Sequence, residues 1–267
     1  MSVRNVRIDG LIYPLEKEAE NRPLSNFGLI NRLALSDEGI FRIFQIGDNA
    51  SALAGQSELS GRFSDSSQMM ALPRIVGVSF EAADAYRDLN DPEIAAKYPW
   101  PDQVKRRVSN AISRVTDALA IYCYAAGLIA RRILENLGAA LQFVRMGDLF
   151  SLISDTTDAE MAAQDWTRAH RVVQYLKGKN ASQKLIDRFE WTERIALLKL
   201  VKSVLAIAIG IFSVWVMLFN TALISATATT VLALSVALTA AAVILYRHSM
   251  PHSPVDMLKY SVANGKV

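Results

Sequence analysis

Histidine and acidic side chains are the residues of this sequence that could bind a metal ion or transfer a proton. Only three histidines occur, His170, His248 and His252. The last two are four residues apart, but Pro251 interrupts any helix between them, and no cysteine or clustered carboxylate completes a set of metal ligands. We therefore interpret the histidines as solvated or interfacial, and we expect neither a metal nor another cofactor.

Paired carboxylates can act as a general acid and a general base. The pairs Asp84/Asp88 and Asp155/Asp158 lie in polar stretches, so we interpret them as surface charges. The sequence has no glycine-rich phosphate loop and no serine nucleophile motif in a credible context. Its single cysteine, Cys123, cannot form an internal disulfide. We expect no enzyme activity, and a membrane enzyme or channel is the least favoured interpretation.

A long charge-free run near the C-terminus is the strongest feature of the sequence. Residues 203–246 include no Asp, Glu, Lys, Arg or His, and the mean hydropathy of the whole chain is +0.19. A bilayer core about 30 Å thick is crossed by about 20 apolar residues in a helix, so the run has room for two crossings. We predict membrane helices over 201–219 and 223–246, turning at Asn220 and Thr221. A buried helix pair in a soluble protein is the alternative, but such helices usually keep a polar face.

Small residues in this hairpin would let helix backbones approach closely in lipid. The residues that we expect to pack the two helices on each other, or on another copy, are Ala206, Gly210, Ala233, Ala237 and Ala241.

Basic residues surround the predicted hairpin. The stretch 168–202 has nine Lys or Arg and three acidic residues, and Arg247 follows the run. The positive-inside rule then places both termini on the cytosolic side. The basic stretch is either a solvated helix face or a segment held against anionic lipid. The N-terminus has no apolar stretch after its basic residues, so we expect no secretory signal peptide.

One amphipathic helix is predicted over 131–150. It can pack on other helices or insert into a bilayer surface, and both interpretations remain open. The residues that would insert are Leu134, Leu137, Leu141 and Val144, and those that would contact lipid phosphates are Arg131, Arg132 and Arg145.

A second amphipathic helix is predicted from Asp102 onward. Within it, residues 118–130 are charge-free but too few to span a membrane comfortably, so this part is interfacial, buried or re-entrant. Its apolar positions recur every three or four residues, at Val104, Val108, Ile112, Val115, Leu119 and Tyr122.

We predict a mainly α membrane protein with a helical cytosolic region and a C-terminal two-helix transmembrane hairpin. Ser36 should cap a short helix. The stretch 47–68, rich in Gly, Ser and Ala, should be a flexible link, and the polar residues 155–158 should separate two helices. The predicted regions are an irregular segment over 1–35, a helical cytosolic or interfacial region over 36–197, the hairpin over 198–247 and a cytosolic tail over 248–267.

Three stretches together resemble motifs of the peroxin-11 family. Residues 36–55 are similar to its N-terminal aromatic and basic helix, with Ile46 where an aromatic residue is usual. Residues 135–153 are similar to its amphipathic helix, with Asp148 where a basic residue is common. Residues 185–198 are similar to the element before its late hydrophobic region, with Arg188 replacing a histidine. The matching residues are Arg42, Phe44, Gln45, Arg145, Met146, Gly147, Asp187 and Trp191.

This resemblance implies a peroxisomal membrane protein, or a glycosomal one, that promotes organelle elongation, fission and proliferation. It implies insertion of the amphipathic helix and self-association into a homo-oligomer. Membrane lipids are the expected partners, and the fission machinery is a candidate. Nucleic acid is not expected, because the basic charge lies beside the membrane run without interleaved aromatics. The alternatives are a membrane-anchored scaffold or effector, or an accessory subunit of a membrane complex, with a partner-binding cytosolic domain.

Overall fold

The computed structural model describes residues 5–8, 11–14, 26–97, 101–219 and 224–249. The chain is mainly α, as predicted, with one short antiparallel strand pair near the N-terminus. The elements are β1 Asn5–Ile8, β2 Leu11–Pro14, α1 Asn26–Leu35, α2 Asp37–Leu53, α3 Ser57–Met69, α4 Ala71–Asn90, α5 Pro92–Lys97, α6 Pro101–Arg132, α7 Leu137–Gly178, α8 Gln183–Phe219 and α9 Ala226–His248.

Helices α2 and α3 show one prediction confirmed and another wrong. Ser36 caps α2, since its Oγ accepts a hydrogen bond from the Gly39 amide at 3.1 Å. The predicted flexible link over 47–68 is helical at all but a few positions. Phe63 of α3 packs against Phe44 of α2, with ring centroids 6.4 Å apart. This packing outweighs the weak helix propensity of a Gly- and Ser-rich segment.

The helix predicted over 131–150 is interrupted. Helix α6 ends at Arg132 and α7 begins at Leu137. The structure therefore has two helices where one was predicted. Glu135 has a φ of 50°, and the Asn136 side chain accepts a hydrogen bond from the Ala139 amide at 2.9 Å. An asparagine cap of this kind satisfies an amide at the helix start and so favours a new helix there.

The helix break predicted at 155–158 does not occur, because α7 continues through these residues to Gly178. The hydroxyl groups of Thr156 and Thr157 donate to helix carbonyls one turn earlier, which keeps these polar side chains compatible with a helix. Helix α7 ends at Gly178, and α8 then runs without interruption past the predicted boundary at 197/198.

Helices α6 to α9 pack as successive antiparallel neighbours. Arg106 of α6 donates to Asp165 of α7 at 2.6 Å, far from the turn that joins these helices. Gly210 of α8 lies against Leu152 of α7. Tyr246 near the end of α9 stacks on a tryptophan in the first half of α8, at 3.6 Å between ring centroids. The charge-free parts of α6, α8 and α9 therefore lie at the same end of the bundle.

Within the described residues, three helices are long and apolar enough to cross a membrane: Gln103–Arg132, Gln183–Phe219 and Ala226–His248. The predicted turn at Asn220 and Thr221 lies outside the described residues, as does the tail from 250 onward. The other end of the bundle has a compact apolar core between α7 and α8, formed by Ala169, Val172, Val173, Leu176, Ile186 and Phe189.

Candidate functional site

A layer of charged residues marks the end of the charge-free part of the bundle. Lys202 comes directly before the charge-free run, and Arg247 comes directly after it. On α6, Asp117 directly precedes the charge-free residues 118–130. The residues that we call the charged layer line one cavity and are Glu38, Arg42, Arg114, Asp117, Asp155, Lys202 and Arg247.

The cavity has a volume of about 840 Å³ and two different walls. Helices α2 to α4 supply a mostly polar wall, and helices α6 to α9 supply a mixed wall, in which apolar side chains lie among charged and hydroxyl side chains. Pockets of about 300–1,000 Å³ commonly bury small ligands. The polar wall includes Glu38, Arg42, Gln45, Ser67, Gln68 and Arg74. The apolar side chains of the mixed wall include Ile121, Leu128, Val144, Leu152, Ile209 and Val236.

Arg42 is a largely buried cation of the polar wall, with 12% of its side chain exposed. Its guanidinium donates to Gln45 Oε1 at 2.8 Å and lies 3.5 Å from the Glu38 carboxylate. Burial lowers the pKa of Arg42, while Glu38 raises it. Within the described part of the chain, the buried Nε of Arg42 has no hydrogen-bond partner. A buried donor left in this way favours binding of an acceptor from outside the chain.

The electrostatic balance at Glu38 shows that positive potential dominates beside α2. Desolvation at the cavity wall raises the pKa of Glu38, but Arg42, Lys202 and Arg74 lower it by more. The pKa of Glu38 therefore lies below its ordinary value. Three cations converge on one carboxylate, so this corner of the cavity carries net positive charge.

Asp155 lies on the other side of the charged layer. Burial raises its pKa to about 6, and Lys202 opposes the shift. Asp158, one turn later, accepts a hydrogen bond from Ser113 Oγ of α6 at 2.5 Å. The interpretation of this pair as surface charges is therefore wrong. Both carboxylates face neighbouring helices, because α7 continues as a helix through this segment.

A second polar cluster lies deeper among the apolar helices. The Tyr124 hydroxyl donates to Asp148 Oδ1 at 2.9 Å and lies 3.2 Å from Ser151 Oγ. The Ser213 hydroxyl of α8 also bonds to Asp148. Asp148 thus joins α6, α7 and α8, and Ser213 lies halfway along the charge-free part of α8. An ionisable residue at such a depth needs partners of this kind.

Of the four residues predicted to insert into a membrane, Leu134 and Leu137 lie at the α6–α7 turn, and Leu141 and Val144 follow one and two turns into α7. The side chains of Leu134 and Leu137 are 67% and 70% exposed, and those of Leu141 and Val144 are 51% and 39% exposed. We call these four residues, together with Ile133, the apolar tip. Ile133 is 73% exposed. Exposed apolar patches on this scale indicate contact with lipid or protein.

The three arginines predicted to contact lipid phosphates do not share one helix face. Arg131 and Arg132 end α6, and Arg145 lies on α7. Arg132 is half exposed and pairs with Asp65 of α3. Arg131 and Arg132 thus adjoin the α6–α7 turn, whereas Arg145 lies two turns into α7.

The predicted small-residue positions have several different environments. A Cβ at Gly210 would lie 2.9 Å from Leu152 Cδ1. The absence of a side chain at Gly210 therefore lets Leu152 of α7 pack closely against α8. Ala237 and Ala241 of α9 are buried, and Ala233 is partly buried. Ala206 lines the cavity.

The candidates for metal or acid–base chemistry are dispersed. His170 is half exposed and lies 2.8 Å from Glu193, as expected for a solvated histidine. His252 lies outside the described residues. Asp84 pairs with Arg87 on the surface of α4, and Asp88 is exposed. Across the described ranges, no three His, Cys, Asp or Glu side chains gather as metal ligands.

The chemistry of the cavity suits an amphiphile, because it offers a cation at Arg42 to an anionic group and the apolar side chains of the mixed wall to a short apolar chain. Sequence reasoning missed it because its residues come from seven helices. The sequence did contain one signal for this cavity, because Lys202, Asp117 and Arg247 each border an apolar run. Comparison with known proteins gives no match to any family model, curated protein or solved structure.

Proposed function

We propose that this chain is a multi-pass membrane protein whose helices α6 to α9 enter the bilayer together at their charge-free end. The two-helix hairpin expected from the sequence corresponds to the second half of α8 and to α9. The part of α8 from Ser203 to Phe219 has 17 residues. At about 1.5 Å per residue, it extends about 25 Å, close to the thickness of a hydrocarbon core.

The first half of α7, up to the charged layer at Asp155, would then be an additional membrane segment. Leu152 contacts Gly210, and Asp148 bonds to Ser213, so this half of α7 lies at the same depth as the hairpin. The turn from α6 to α7 is short, which supports entry of both helices as a pair. Four crossings leave the start of α6 and the end of α9 on one side. The basic residues at that end favour the cytosolic side.

The function that this geometry supports best is shaping of a membrane by insertion and self-association, without catalysis. This proposal rests mainly on the apolar tip, which extends beyond α6 at the level of the α8 and α9 ends. The charge-free part of α6 has 13 residues and spans about 20 Å, and then Arg131 and Arg132 follow. Because the hydrocarbon core is about 30 Å thick, these arginines would draw headgroups inward and thin the bilayer.

We place this activity in peroxisomal or glycosomal membranes, on the resemblance of three sequence stretches to the peroxin-11 family. The test is fluorescence microscopy of the tagged full-length chain beside a matrix marker, with organelle number and length scored. We expect co-localisation and elongated or multiplied organelles on overexpression. Localisation to another membrane would overturn the organelle assignment and favour the scaffold, effector or accessory-subunit alternatives.

The role of the apolar tip is tested by replacing Leu137 and Leu141 with Glu. Charges there should abolish organelle elongation and tubulation of liposomes by the purified chain. The control is Leu197→Glu, since Leu197 is 42% exposed on α8 before the charge-free run. Full tubulation by the Leu137→Glu, Leu141→Glu variant would refute insertion of the tip.

The depth of α7 is tested by cysteine labelling. Cys123→Ser removes the single cysteine, and new cysteines replace Gln142, Leu149 or Thr167, which are exposed along α7. In sealed organelles, a membrane-impermeant maleimide should reach Thr167→Cys from outside, but neither of the others. Gln142→Cys should react after permeabilisation, and Leu149→Cys should stay protected. Labelling of Gln142→Cys in sealed organelles would show a surface-bound helix instead.

A further inference from the structure

Six charged residues of the cavity form two groups of opposite sign. The first group lies on α2, α4 and α8, and we call it the cationic side. It consists of Arg42, Arg74 and Lys202. The second group lies on α6 and α7, and we call it the acidic side. It consists of Asp117, Asp155 and Asp158.

The acidic side is only partly satisfied by the rest of the chain. Arg114 also lines the cavity, but its guanidinium lies 3.2 Å from the Glu81 carboxylate of α4. Asp158 accepts its hydrogen bond from a serine of α6. Among the described residues, Asp117 and Asp155 make no hydrogen bond and no ion pair within 4 Å. The acidic side therefore offers carboxylate oxygens to a cation from outside the chain.

The cationic side is also incompletely paired. Arg42 lies beside Glu38, but its buried Nε has no hydrogen-bond partner in the part of the chain that the structure describes. The Arg74 guanidinium lies over the Phe41 ring, 4.6 Å from its centroid. Lys202 makes no ion pair within 4 Å to any described residue. These groups are donors suited to phosphate oxygens, which arginine and lysine bind with charge-assisted hydrogen bonds.

The two sides influence each other but do not join. Burial raises the pKa of Asp155 most, and Lys202 and Arg42 oppose that rise. Asp158 and Asp117 add to it. The charges remain apart because they belong to different helices whose positions are fixed by packing. Separated charges of opposite sign in one cavity are complementary to a ligand that carries both signs, and such a ligand compensates charges that would otherwise be buried without partners.

We propose that the cavity binds the phosphoethanolamine headgroup, in which a short ethylene link joins a phosphate to a primary ammonium. The phosphate oxygens accept hydrogen bonds from Arg42, Arg74 and Lys202. The ammonium donates to the carboxylates of Asp117 and Asp155. Apolar side chains of the mixed wall also line the cavity, and they suit the start of an acyl chain. A phospholipid is one source of this headgroup, and a water-soluble phosphoethanolamine ester is the other.

The acidic side should distinguish a primary ammonium from its trimethylated form. A primary ammonium has three N–H donors for carboxylate oxygens, and trimethylation removes all of them. Quaternary ammonium groups are bound instead by aromatic cages. Of the described residues that line the cavity, Phe41 and Tyr124 are aromatic, and both are engaged. Phe41 lies against Arg42 and Arg74, and Tyr124 bonds to Asp148. The cavity should therefore prefer phosphoethanolamine to phosphocholine.

The test is competition binding with the purified full-length chain in detergent micelles. A phosphatidylethanolamine with a fluorescent label on its acyl chain is displaced by unlabelled lipids with matched acyl chains. We expect phosphatidylethanolamine to compete at least tenfold better than phosphatidylcholine, which carries methyl groups in place of the N–H hydrogens. We expect the same margin over phosphatidylglycerol, which has the phosphate but no ammonium.

A soluble competitor distinguishes the two sources of the headgroup. Glycerophosphoethanolamine has the same headgroup without acyl chains. If it competes as well as phosphatidylethanolamine, the cavity binds the headgroup of a water-soluble ester. If it competes at least tenfold less well, the acyl chain contributes and the ligand is the lipid. Either result supports a phosphoethanolamine site.

Two variants assign the ends of the headgroup to the two sides of the cavity. The Asp117→Asn, Asp155→Asn variant should reduce the preference for phosphatidylethanolamine over phosphatidylglycerol to less than threefold, without weakening phosphatidylglycerol. Arg42→Gln should weaken both lipids at least threefold. The control is Asp84→Asn, an exposed carboxylate paired with Arg87 on α4, and it should leave both affinities unchanged. Asparagine keeps the size of aspartate, so the first variant tests the site even if Arg42→Gln fails to fold.

Equal competition by phosphatidylethanolamine and phosphatidylcholine would overturn the headgroup assignment. A preference that persists in the Asp117→Asn, Asp155→Asn variant would overturn it as well. The assay uses micelles, so it does not require the apolar tip to insert into a bilayer. Failure to tubulate liposomes, with the headgroup preference intact, would therefore contradict the proposed function alone. Tubulation without a headgroup preference would contradict only this site.

Discussion

Gly147 of α7 lies against the ring of Tyr124 on α6, and replacing it with alanine tests how these helices pack. An added Cβ would lie 2.7 Å from Tyr124 Cε1, 2.9 Å from Cδ1 and 3.0 Å from Cζ. These atoms belong to one rigid ring, so the whole ring must move. That movement also takes the Tyr124 hydroxyl away from Asp148, to which it donates at 2.9 Å.

The expected cost follows from three contributions. Overpacking costs about 1–3 kcal/mol. The hydrogen bond between Tyr124 and Asp148 adds about 0.6 kcal/mol, the average for such bonds between membrane helices. Alanine in a helix interior gains about 1 kcal/mol over glycine. Gly147→Ala should therefore lower the free energy of unfolding by about 0.6–2.6 kcal/mol.

The assay is equilibrium unfolding of the purified chain in mixed micelles, by titration with SDS and far-UV circular dichroism. The control is Gly61→Ala in α3, where no atom lies within 4 Å of the added Cβ, so the variant should be stabilised. In a Tyr124→Ala background the ring is absent, and Gly147→Ala should no longer be destabilising. A cost that persists there, or no cost in the wild-type background, would refute the reasoning.

Three further predictions concern the cavity and the α2 cap. Because the pKa of Asp155 is raised to about 6, the folded state binds its proton more readily, so stability should rise as pH falls from 7 to 5. Asp155→Asn should remove that rise and gain about 1–3 kcal/mol at pH 7, measured by the same titration. Arg42→Gln should reduce the amount of phospholipid that co-purifies with the chain at least threefold, as measured by mass spectrometry. Arg87→Gln, on the surface of α4, should leave that amount unchanged. Ser36→Ala should cost about 1 kcal/mol in the same titration, since the Gly39 amide loses its acceptor; an unchanged midpoint would count against the cap.

The sequence predicted those features that depend on local composition. Absence of charge located α8 and α9, and the predicted helix end at 219 coincides with the end of α8. The Ser36 cap followed from one side chain and its neighbours. In each case, the deciding interaction lies within a few residues of the chain.

The features that the sequence did not predict depend on contacts between distant residues. Asp158 bonds to Ser113, 45 positions earlier, so no local pattern could show that its polar segment lies between helices. The cavity combines α2 with α8 and α9, which are more than 100 residues apart. The interruption at 133–136 was closer to prediction, because Asn136 is a common capping residue, but the apolar stripe on both sides suggested one continuous helix.

Asp148 distinguishes the two ways in which α7 could meet a membrane. The family that this segment resembles commonly has a basic residue there. If α7 lay flat on the bilayer, Asp148→Lys would restore that charge and strengthen binding to anionic vesicles. In the arrangement proposed here, Asp148 joins Tyr124 and Ser213, and a lysine would leave an unpaired cation among apolar helices. We therefore expect Asp148→Lys to prevent stable insertion in a membrane-extraction assay, and Asp148→Asn, which can still accept both hydrogen bonds, to insert normally. Normal insertion with stronger vesicle binding by Asp148→Lys would show that α7 lies at the surface.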